Sequence, residues 1–442
     1  MSFTAESSRW PDVWLAATAR GTTICGDFLA ATALALALQS SGAGGLAVSA
    51  LLLAATLPLV VLAPLTGRLA DRVDSRTLLV TVGLAQAVIC TLLAVAEHPV
   101  LVVGLVGLLA CGLAVTQPCL AALLPAMVRP ADLPRASAIS QNAVSLGALG
   151  GPVLAGLLVG QFGTRVPLLL DAVTYLALVA AGLLLRTRRG GRRRTTVAAA
   201  QGGAASPANQ ADPSGTGANW RLRRDPLMLV MVASTAVVIA AIGGINVIEV
   251  FFIRETLHAS ATMYGLVGAA WMAGMLPGSW VAARLARRFD HDAALIRGVL
   301  ITLAMCSLLV LLAATVPTAA LLVPLWLVAG AANGGENVFA NLLTSRRVPE
   351  AMRGRAYASY GAAVQGGSMT GYLIGGALLA VVPPRPLIAG AGVAGLVVVL
   401  AFVPVVARAV RRPVPNEAHR DRQVVGANAG LATPGRPAEP EP

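Results

Sequence analysis

The chain is a succession of about a dozen long apolar stretches, and its arginines lie in alternate gaps between them. The gaps after the second, fourth, sixth, eighth and tenth stretches hold most of the basic residues. The other gaps between stretches hold only Arg165, Arg254 and Arg385. Because basic loops resist translocation, loops of one parity stay on the cytoplasmic side of a membrane. The pattern predicts a polytopic membrane protein with both termini in the cytoplasm.

The composition agrees with a chain that lies mostly in lipid. Apolar residues make up 56% of the 442 residues and charged residues only 12%. In soluble proteins about a quarter of all residues are charged. The net charge of +13 does not indicate a nucleic-acid partner, because the arginines lie at the ends of apolar stretches and in one linker. We interpret this charge as anchoring to a leaflet with anionic lipid headgroups.

Several chemistries have no signature in the sequence. There is no lysine, and hence no P-loop lysine, and neither HExxH nor GxSxG occurs, so we expect neither an enzyme nor an ATP-driven pump of that type. The five cysteines all lie inside apolar stretches without a CxxC pair or a Cys/His cluster. We therefore expect no disulfide and no metal site. These cysteines are Cys25, Cys90, Cys111, Cys119 and Cys306.

Each apolar stretch is continuous and long enough, at about 20 residues, to cross a bilayer as a helix. The predicted helices cover residues 13–38, 46–66, 77–96, 99–124, 136–160, 166–185, 227–253, 263–283, 293–315, 319–343, 355–382 and 386–407. Segments rich in Arg, Gly, Ala, Ser and Pro cannot bury a core, so we expect them to be disordered. The expected organisation is a six-helix bundle over 1–186, a basic cytoplasmic linker over 187–224, a second bundle over 225–410, and a cytoplasmic tail over 411–442.

The two halves show traces of an internal repeat. A single shift along the chain places Val128 on Val348, Arg135 on Arg355, Gly147 on Gly367, Gly151 on Gly371, Gly156 on Gly376, and Thr116-Gln117 on Glu336-Asn337. Two parallel six-helix halves joined by a cytoplasmic loop are an arrangement found in secondary transporters. The last match also suggests that both halves present polar groups at one depth.

The loop after the second stretch carries the most specific motif. Its sequence, from Gly67 to Arg76, resembles the loop between helices 2 and 3 of the major facilitator superfamily, with departures at Asp74 and Ser75. The resemblance implies an all-α membrane fold of twelve transmembrane helices in two six-helix bundles. It also implies a cytoplasmic gate, in which Asp71 contacts the start of helix 11 near Arg353. The residues of this gate motif are Gly67, Arg68, Asp71, Arg72 and Arg76.

The fifth stretch contains small residues at helical spacing around a proline. This element resembles one in helix 5 of the antiporter branches of the same superfamily, which implies export. A ridge of Gly367, Gly371 and Gly375 repeats it in the second half without the proline. Small residues at this spacing also serve plain helix packing, and that alternative stays open. The residues of the element are Gly147, Gly151, Pro152 and Gly156.

Polar residues inside the apolar stretches are the candidates for the transport pathway, because they are costly in lipid. The segment around Arg20 and Asp27 resembles helix 1 of the branch that contains macrolide and siderophore exporters. Asp27 is our first choice for a proton-coupling carboxylate, followed by Glu249 and Asp171. Each candidate could instead make a structural bond between helices, and Glu249 could lie at the outer interface with Arg254 and Glu255. The full set is Arg20, Asp27, Asp171, Asn246, Glu249, Glu336 and Asn337.

The family resemblance implies proton-coupled efflux of a small, fairly hydrophobic molecule such as a drug, macrolide, siderophore or secondary metabolite. Two bundles would rock about a central site in the cytoplasmic membrane of a prokaryote-like cell. The proton gradient would supply the energy without a cofactor, and we expect a monomer. Two alternatives stay open. One is an importer or lysophospholipid flippase of the same fold, and the other is a membrane sensor or scaffold without transport.

Overall fold

The computed structural model describes residues 8–63, 65, 66, 69, 73–187, 222, 225–289 and 291–411. The predicted disordered linker (187–224) and tail (411–442) lie almost entirely outside these residues. Four residues of the predicted gate motif, Gly67, Arg68, Asp71 and Arg72, lie outside them as well. In the described part of the chain the secondary structure is entirely helical.

Six long helices make up the first half of the chain. Glycines with positive φ mark some of the junctions between them: Gly42 lies between the first two helices, Gly44 begins the second, and Gly163 follows the fifth at φ 74°. Glycine adopts this left-handed conformation without the steric cost that a side chain would add. The helices are α1 (Trp10–Ser40), α2 (Gly44–Val61), α3 (Ser75–Val95), α4 (Pro99–Met127), α5 (Leu133–Phe162) and α6 (Arg165–Leu184).

The second half repeats this order with one interruption. The seventh predicted helix, over 227–253, corresponds to one membrane span, Pro226–Thr256, which is interrupted at Gly243 and Gly244. The second half consists of α7 (Pro226–Ile242), α8 (Ile245–Phe251), a π-helical turn (Phe252–Thr256), α9 (Ala261–Ala286), α10 (Asp292–Ala313), α11 (Leu322–Arg347), α12 (Glu350–Leu378) and α13 (Pro384–Arg411). A Cβ on Gly244 would lie 3.0 Å from the Gly371 carbonyl oxygen on α12. The break therefore lies where two backbones approach closely.

Eleven membrane spans in the described residues are long and apolar enough to cross a bilayer. The twelfth long helix, α12, does not meet this composition, and it carries Arg353 and Arg355 in its first turns. It packs against α7 of its own half and α2 of the other. Because α12 packs against helices of both bundles, it does not need the uniform apolar surface of a lipid-facing helix. The fold is an all-α membrane fold of the predicted class.

Each half is a bundle built on the same pairs of helices. In the N-terminal bundle α1 packs on α5 and α6, and in the C-terminal bundle α7 packs on α12 and α13. Ion pairs link three helices at one end of the C-terminal bundle. Arg347 on α11 lies 3.0 Å from Asp225, which directly precedes α7, and 3.0 Å from Asp292 on α10. The two bundles contact each other mainly through α5 with α9 and α2 with α12.

We call the end at which α1 begins and α13 ends the terminal side, and the end at which α1 finishes the far side. Among the described residues, every hydrogen bond between the bundles joins far-side residues. Ser49 donates to the Tyr372 carbonyl at 2.6 Å, Thr262 to the Gly156 carbonyl at 3.2 Å, and Gln39 to Glu255 at 2.9 Å. On the terminal side the polar residues Gln141, Asn142 and Ser359 of α5 and α12 are exposed. The bundles are thus closed on the far side and parted on the terminal side.

Candidate functional site

Two of the candidate carboxylates meet inside the N-terminal bundle. The hydroxyl of Tyr175 on α6 donates to Oδ1 of Asp27 on α1 at 2.5 Å. Asp171, one helical turn before Tyr175, is fully buried and accepts from Cys90 on α3 at 3.2 Å and from Thr174 at 3.1 Å. The structure therefore brings Asp27 and Asp171 into one polar cluster, which joins α1, α3 and α6.

A glycine on α1 makes this arrangement possible. A Cβ on Gly26 would lie only 2.2 Å from Oδ1 of Asp171 and 2.5 Å from the hydroxyl oxygen of Thr174. Both distances are far inside van der Waals contact, so any side chain here would displace the Asp171 carboxylate and the Thr174 hydroxyl from their present positions. The small residue beside Asp27 is thus part of what places the two carboxylates close together.

Arg20 and Asp27, which are seven residues apart on α1, line the same small cavity. Among the residues that the structure describes, no ion pair joins Arg20 to Asp27, and the Arg20 Nε is buried without a hydrogen-bond partner. The Asp27 carboxylate accepts from Tyr175 instead. The cavity is lined by Arg20, Thr23, Ile24 and Asp27 of α1, Leu113, Thr116, Gln117 and Leu120 of α4, and Tyr175 and Leu178 of α6.

The C-terminal bundle holds a separate carboxylate. Glu336 on α11 is 3% exposed, and its Oε1 accepts from Tyr360 of α12 at 2.7 Å and from Thr235 of α7 at 3.3 Å. The adjacent candidate Asn337 takes no part, since its amide donates to the Asn333 carbonyl of its own helix at 2.9 Å. Each bundle therefore contains one carboxylate that accepts a hydrogen bond from a tyrosine on another helix.

The candidates of the seventh span lie on the short helix α8. The Asn246 amide donates to the Gly243 carbonyl at 3.1 Å, across the helix break. Glu249 lies near the side chain of Trp326 on α11, and its Oε1 is buried without a hydrogen-bond partner among the described residues. Glu249 does not pair with Arg254, which donates to the Ala259 carbonyl at 2.7 Å. It lies apart from both tyrosine-bonded carboxylates.

The small residues of α5 have two different neighbours. A Cβ on Gly147 or Gly151 would meet the backbone of α1, at the carbonyl oxygens of Gly21 and Cys25. Further along the helix, Gly156 and Pro152 face α9, where the Pro152 carbonyl meets Gly265. The first pair packs inside the bundle, and the second forms the contact between bundles. The equivalent glycines of α12 are divided in the same way. Gly367 and Gly371 face α7 of the same bundle, and Gly376 faces α2 of the other bundle.

Little of the predicted gate loop can be followed in the structure. Arg76, in the first turn of α3, is half-buried. Arg353, near which Asp71 was expected to bind, donates to the carbonyls of Ser345 and Val348, at 3.0 and 3.3 Å. These bonds hold the start of α12 against the end of α11. In the part of the chain that is described, no group of His, Cys, Asp and Glu side chains could hold a metal ion.

Sequence reasoning missed the hydroxyl groups that complete both carboxylate sites. Tyr175 had a usable signal, because it follows Asp171 by four residues and so shares its helix face. Tyr360 and Thr235 had none, since each lies on a different helix from Glu336. Only the packing of three helices brings them together.

Comparisons with known proteins agree with this architecture. Among solved structures, the nucleoside transporter NupG aligns with a TM-score of 0.69 at 14% identity, covering 89% of this chain and 99% of that one. An auto-inhibited peptide transporter of the POT family aligns with a TM-score of 0.70 at 12% identity, covering 91% and 98%. A bacterial homologue of the human lysosomal transporter Spinster gives 0.63 at 15% identity, covering 92% and 96%. At these identities the likeness concerns the fold.

The sequence comparisons give a family. No curated protein matches the sequence. The family model described as "Transmembrane secretion effector" matches residues 7–424, and this range includes both bundles. The chain therefore belongs to the transmembrane secretion effector family, within the major facilitator superfamily of transporters.

Proposed function

We propose that this protein exports a small, fairly hydrophobic molecule across the cytoplasmic membrane in exchange for protons. The observation that carries the proposal is the Asp27 carboxylate, which accepts a hydrogen bond from Tyr175 and shares a cavity with the unpaired Arg20. Ionisable side chains within membrane spans are costly, and they mark ion and substrate pathways. The description of the family as secretion effectors supports export over import.

The distribution of arginine supports a cytoplasmic position for the terminal side. Arg129, Arg284, Arg287 and Arg346 lie at helix ends on this side, and basic loops remain in the cytoplasm. With this orientation, the bundles are parted towards the cytoplasm and closed towards the outside. A substrate would enter from the cytoplasm in this state and leave after the bundles rock to the opposite arrangement.

Asp27 can couple this motion to protons. A carboxylate whose access to water changes sides as the bundles rock takes up a proton on one side and releases it on the other. The net charge of the cavity then changes by one unit, because Arg20 keeps its charge throughout. Substrate binding between the bundles and proton binding at Asp27 therefore influence each other through a reciprocal free energy. The substrate classes that we propose are drugs, macrolides, siderophores and other secondary metabolites.

The test begins with a substrate found by comparing a deletion strain and an overexpressing strain against a panel of macrolides, siderophores and dyes. Inside-out vesicles then measure uptake of that compound driven by an imposed pH gradient. Asp27→Asn should abolish the gradient-driven uptake, because a neutral amide cannot carry the proton. Exchange of labelled for unlabelled compound without a gradient should continue, since the bundles can still rock with substrate bound.

The matched control is Glu97→Gln, which removes an exposed acidic side chain that pairs with Arg165 on the far side. This variant should transport like the wild type. Gradient-driven uptake at the wild-type level in Asp27→Asn would overturn the assignment of Asp27. If Asp27→Asn does not accumulate in the membrane, the cluster with Tyr175 is structural, and the coupling role passes to Glu249. A folded protein that moves no compound of the panel would favour the sensor or scaffold alternative.

A further inference from the structure

The terminal end of α9 has an exposed face that combines apolar and basic side chains. Leu276, Trp280, Arg284 and Arg287 follow one another at spacings of four, four and three residues, so they lie along one side of the helix. Leu276 and Trp280 are 54% and 57% exposed, and both arginines are exposed. We call these four residues the α9 patch.

The α9 patch faces away from the protein. The opposite side of the helix carries Gly274 and Gly278, on which a Cβ would clash with the backbone of α11 at Leu327 and Ala331. Because that side is held tightly against α11, the α9 patch lies on the side of the helix that faces away from α11. Its apolar part lies nearer the middle of the span, and its arginines lie at the end, where headgroups are found.

A cation–π interaction between Arg284 and Trp280 links the basic part of the patch to its apolar part. The guanidinium carbon of Arg284 lies 3.5 Å from the ring centre of Trp280. Stacking restrains the guanidinium while its N–H groups stay free to donate in the plane of the group. Among the described residues, no acidic side chain forms an ion pair with Arg284 or Arg287. Within the described part of the chain, these two neighbouring cations therefore have no acidic partner.

We propose that the α9 patch is a binding site for an anionic phospholipid. The lipid phosphate accepts hydrogen bonds from Arg284 and Arg287, and an acyl chain lies along Trp280 and Leu276. Arginine suits this role because its planar donors match the oxygens of a phosphate.

Lipid binding can be measured on the full-length purified protein without knowledge of the transported compound. Native mass spectrometry with added phosphatidylglycerol or phosphatidylcholine counts the lipids retained and gives their apparent affinities. Phosphatidylglycerol should bind more tightly than phosphatidylcholine to the wild type. The double variant Arg284→Gln/Arg287→Gln should bind phosphatidylglycerol about tenfold more weakly, because charge-assisted hydrogen bonds to the phosphate are lost.

The matched control is Arg355→Gln/Arg408→Gln, which removes two exposed arginines from the same side of the protein on α12 and α13. It should change the affinity less than about twofold. Equal losses in the two double variants would overturn the proposal, because they would show diffuse attraction by net charge or by arginines at helix ends. A third variant, Trp280→Leu, keeps an apolar side chain but removes the stacked ring. Unchanged lipid affinity in this variant would also contradict the site.

If the Arg284 double variant does not fold, Arg284→Lys replaces it. Lysine keeps the charge and loses the planar fork, so a phosphate site should weaken while attraction by net charge should not. Lipid affinity of Arg284→Lys at the wild-type level would then overturn the proposal. These outcomes are independent of proton coupling, since no transport is measured.

Discussion

Two contact lines hold the bundles together on the far side, and the internal repeat makes them equivalent. The shift that aligns the halves places Pro152 of α5 on Tyr372 of α12, and Gly156 on Gly376. Across from Pro152 lies Gly265 of α9, where a Cβ would be 2.2 Å from the Pro152 carbonyl oxygen. Across from Tyr372 lies Ser49 of α2, whose hydroxyl donates to the Tyr372 carbonyl at 2.6 Å.

The comparison shows that two equivalent helix–helix contacts can be stabilised by different interactions. At Gly265 the α5–α9 line has no side chain between the backbones, so this contact depends on steric fit. The α2–α12 line places a small hydroxyl between the helices and gains a hydrogen bond. The α5–α9 line has its own hydrogen bond, from Thr262 to Gly156, at a different position and with a longer distance of 3.2 Å. A side chain added to the first line should therefore do more damage than one removed from the second.

The largest effect is expected from Gly265→Ala. The added methyl group would overlap the Pro152 carbonyl and lies close to the Gly156 backbone. Overpacking of this kind costs about 1–3 kcal/mol, which shifts the equilibrium towards the far-side-open state roughly fivefold to a hundredfold. Spin labels at positions 41 and 381, on a background without the native cysteines, should report a longer far-side distance in electron paramagnetic resonance.

A neighbouring glycine supplies the control for this prediction. A Cβ on Gly268 would meet only the Pro152 Cβ, at an ordinary 3.6 Å. Gly268→Ala should therefore leave the distance distribution unchanged. If both alanine variants behave like the wild type, the α5–α9 line is not held by steric fit.

A smaller effect is expected from Ser49→Ala. The variant loses one buried hydrogen bond, worth about 0.5–1.5 kcal/mol, and adds no clash. The far-side-open population should rise by roughly two- to tenfold in the same distance measurement. A larger shift for Ser49→Ala than for Gly265→Ala would reverse the comparison.

The smallest effect is expected from Thr262→Val. The side chain keeps its shape and loses only its donor, and the bond to the Gly156 carbonyl is half-buried and longer than the bond from Ser49. Water can replace such a donor in part, so the far-side-open population should rise less than about threefold. A shift as large as that of Gly265→Ala would mean that the hydrogen bond, and not the close backbone fit, holds this line.

The sequence predicted the helical architecture well because its signals are local. A continuous apolar stretch can satisfy its backbone hydrogen bonds in lipid only as a helix. The observed helices accordingly lie close to the predicted ranges, as for 99–124 and Pro99–Met127. The break at Gly243–Gly244 was missed because both glycines lie within an apolar run. It depends on α12, which approaches the backbone there and is far away in sequence.

The candidate site was predicted only in part, for the same physical reason. Asp27 and Arg20 could be selected because charged groups are rare and costly in a membrane span. Nothing in the sequence showed that Asp27 would bond to Tyr175 while Arg20 stayed without an ion pair. Such a choice of partner depends on how α1 and α6 are rotated about their axes. That rotation is set by close contacts such as that of Gly26 with Asp171.

The sequence by itself determined that this chain crosses a membrane many times, because hydropathy and the placement of arginine act locally on each segment. It also determined which residues are small enough for close helix contacts. The tertiary structure decided which helices those contacts join, with Gly147 facing α1 and Gly156 facing α9. It also decided that the bundles meet on the far side. These outcomes depend on side chains from distant parts of the chain packing together, and no local pattern encodes that packing.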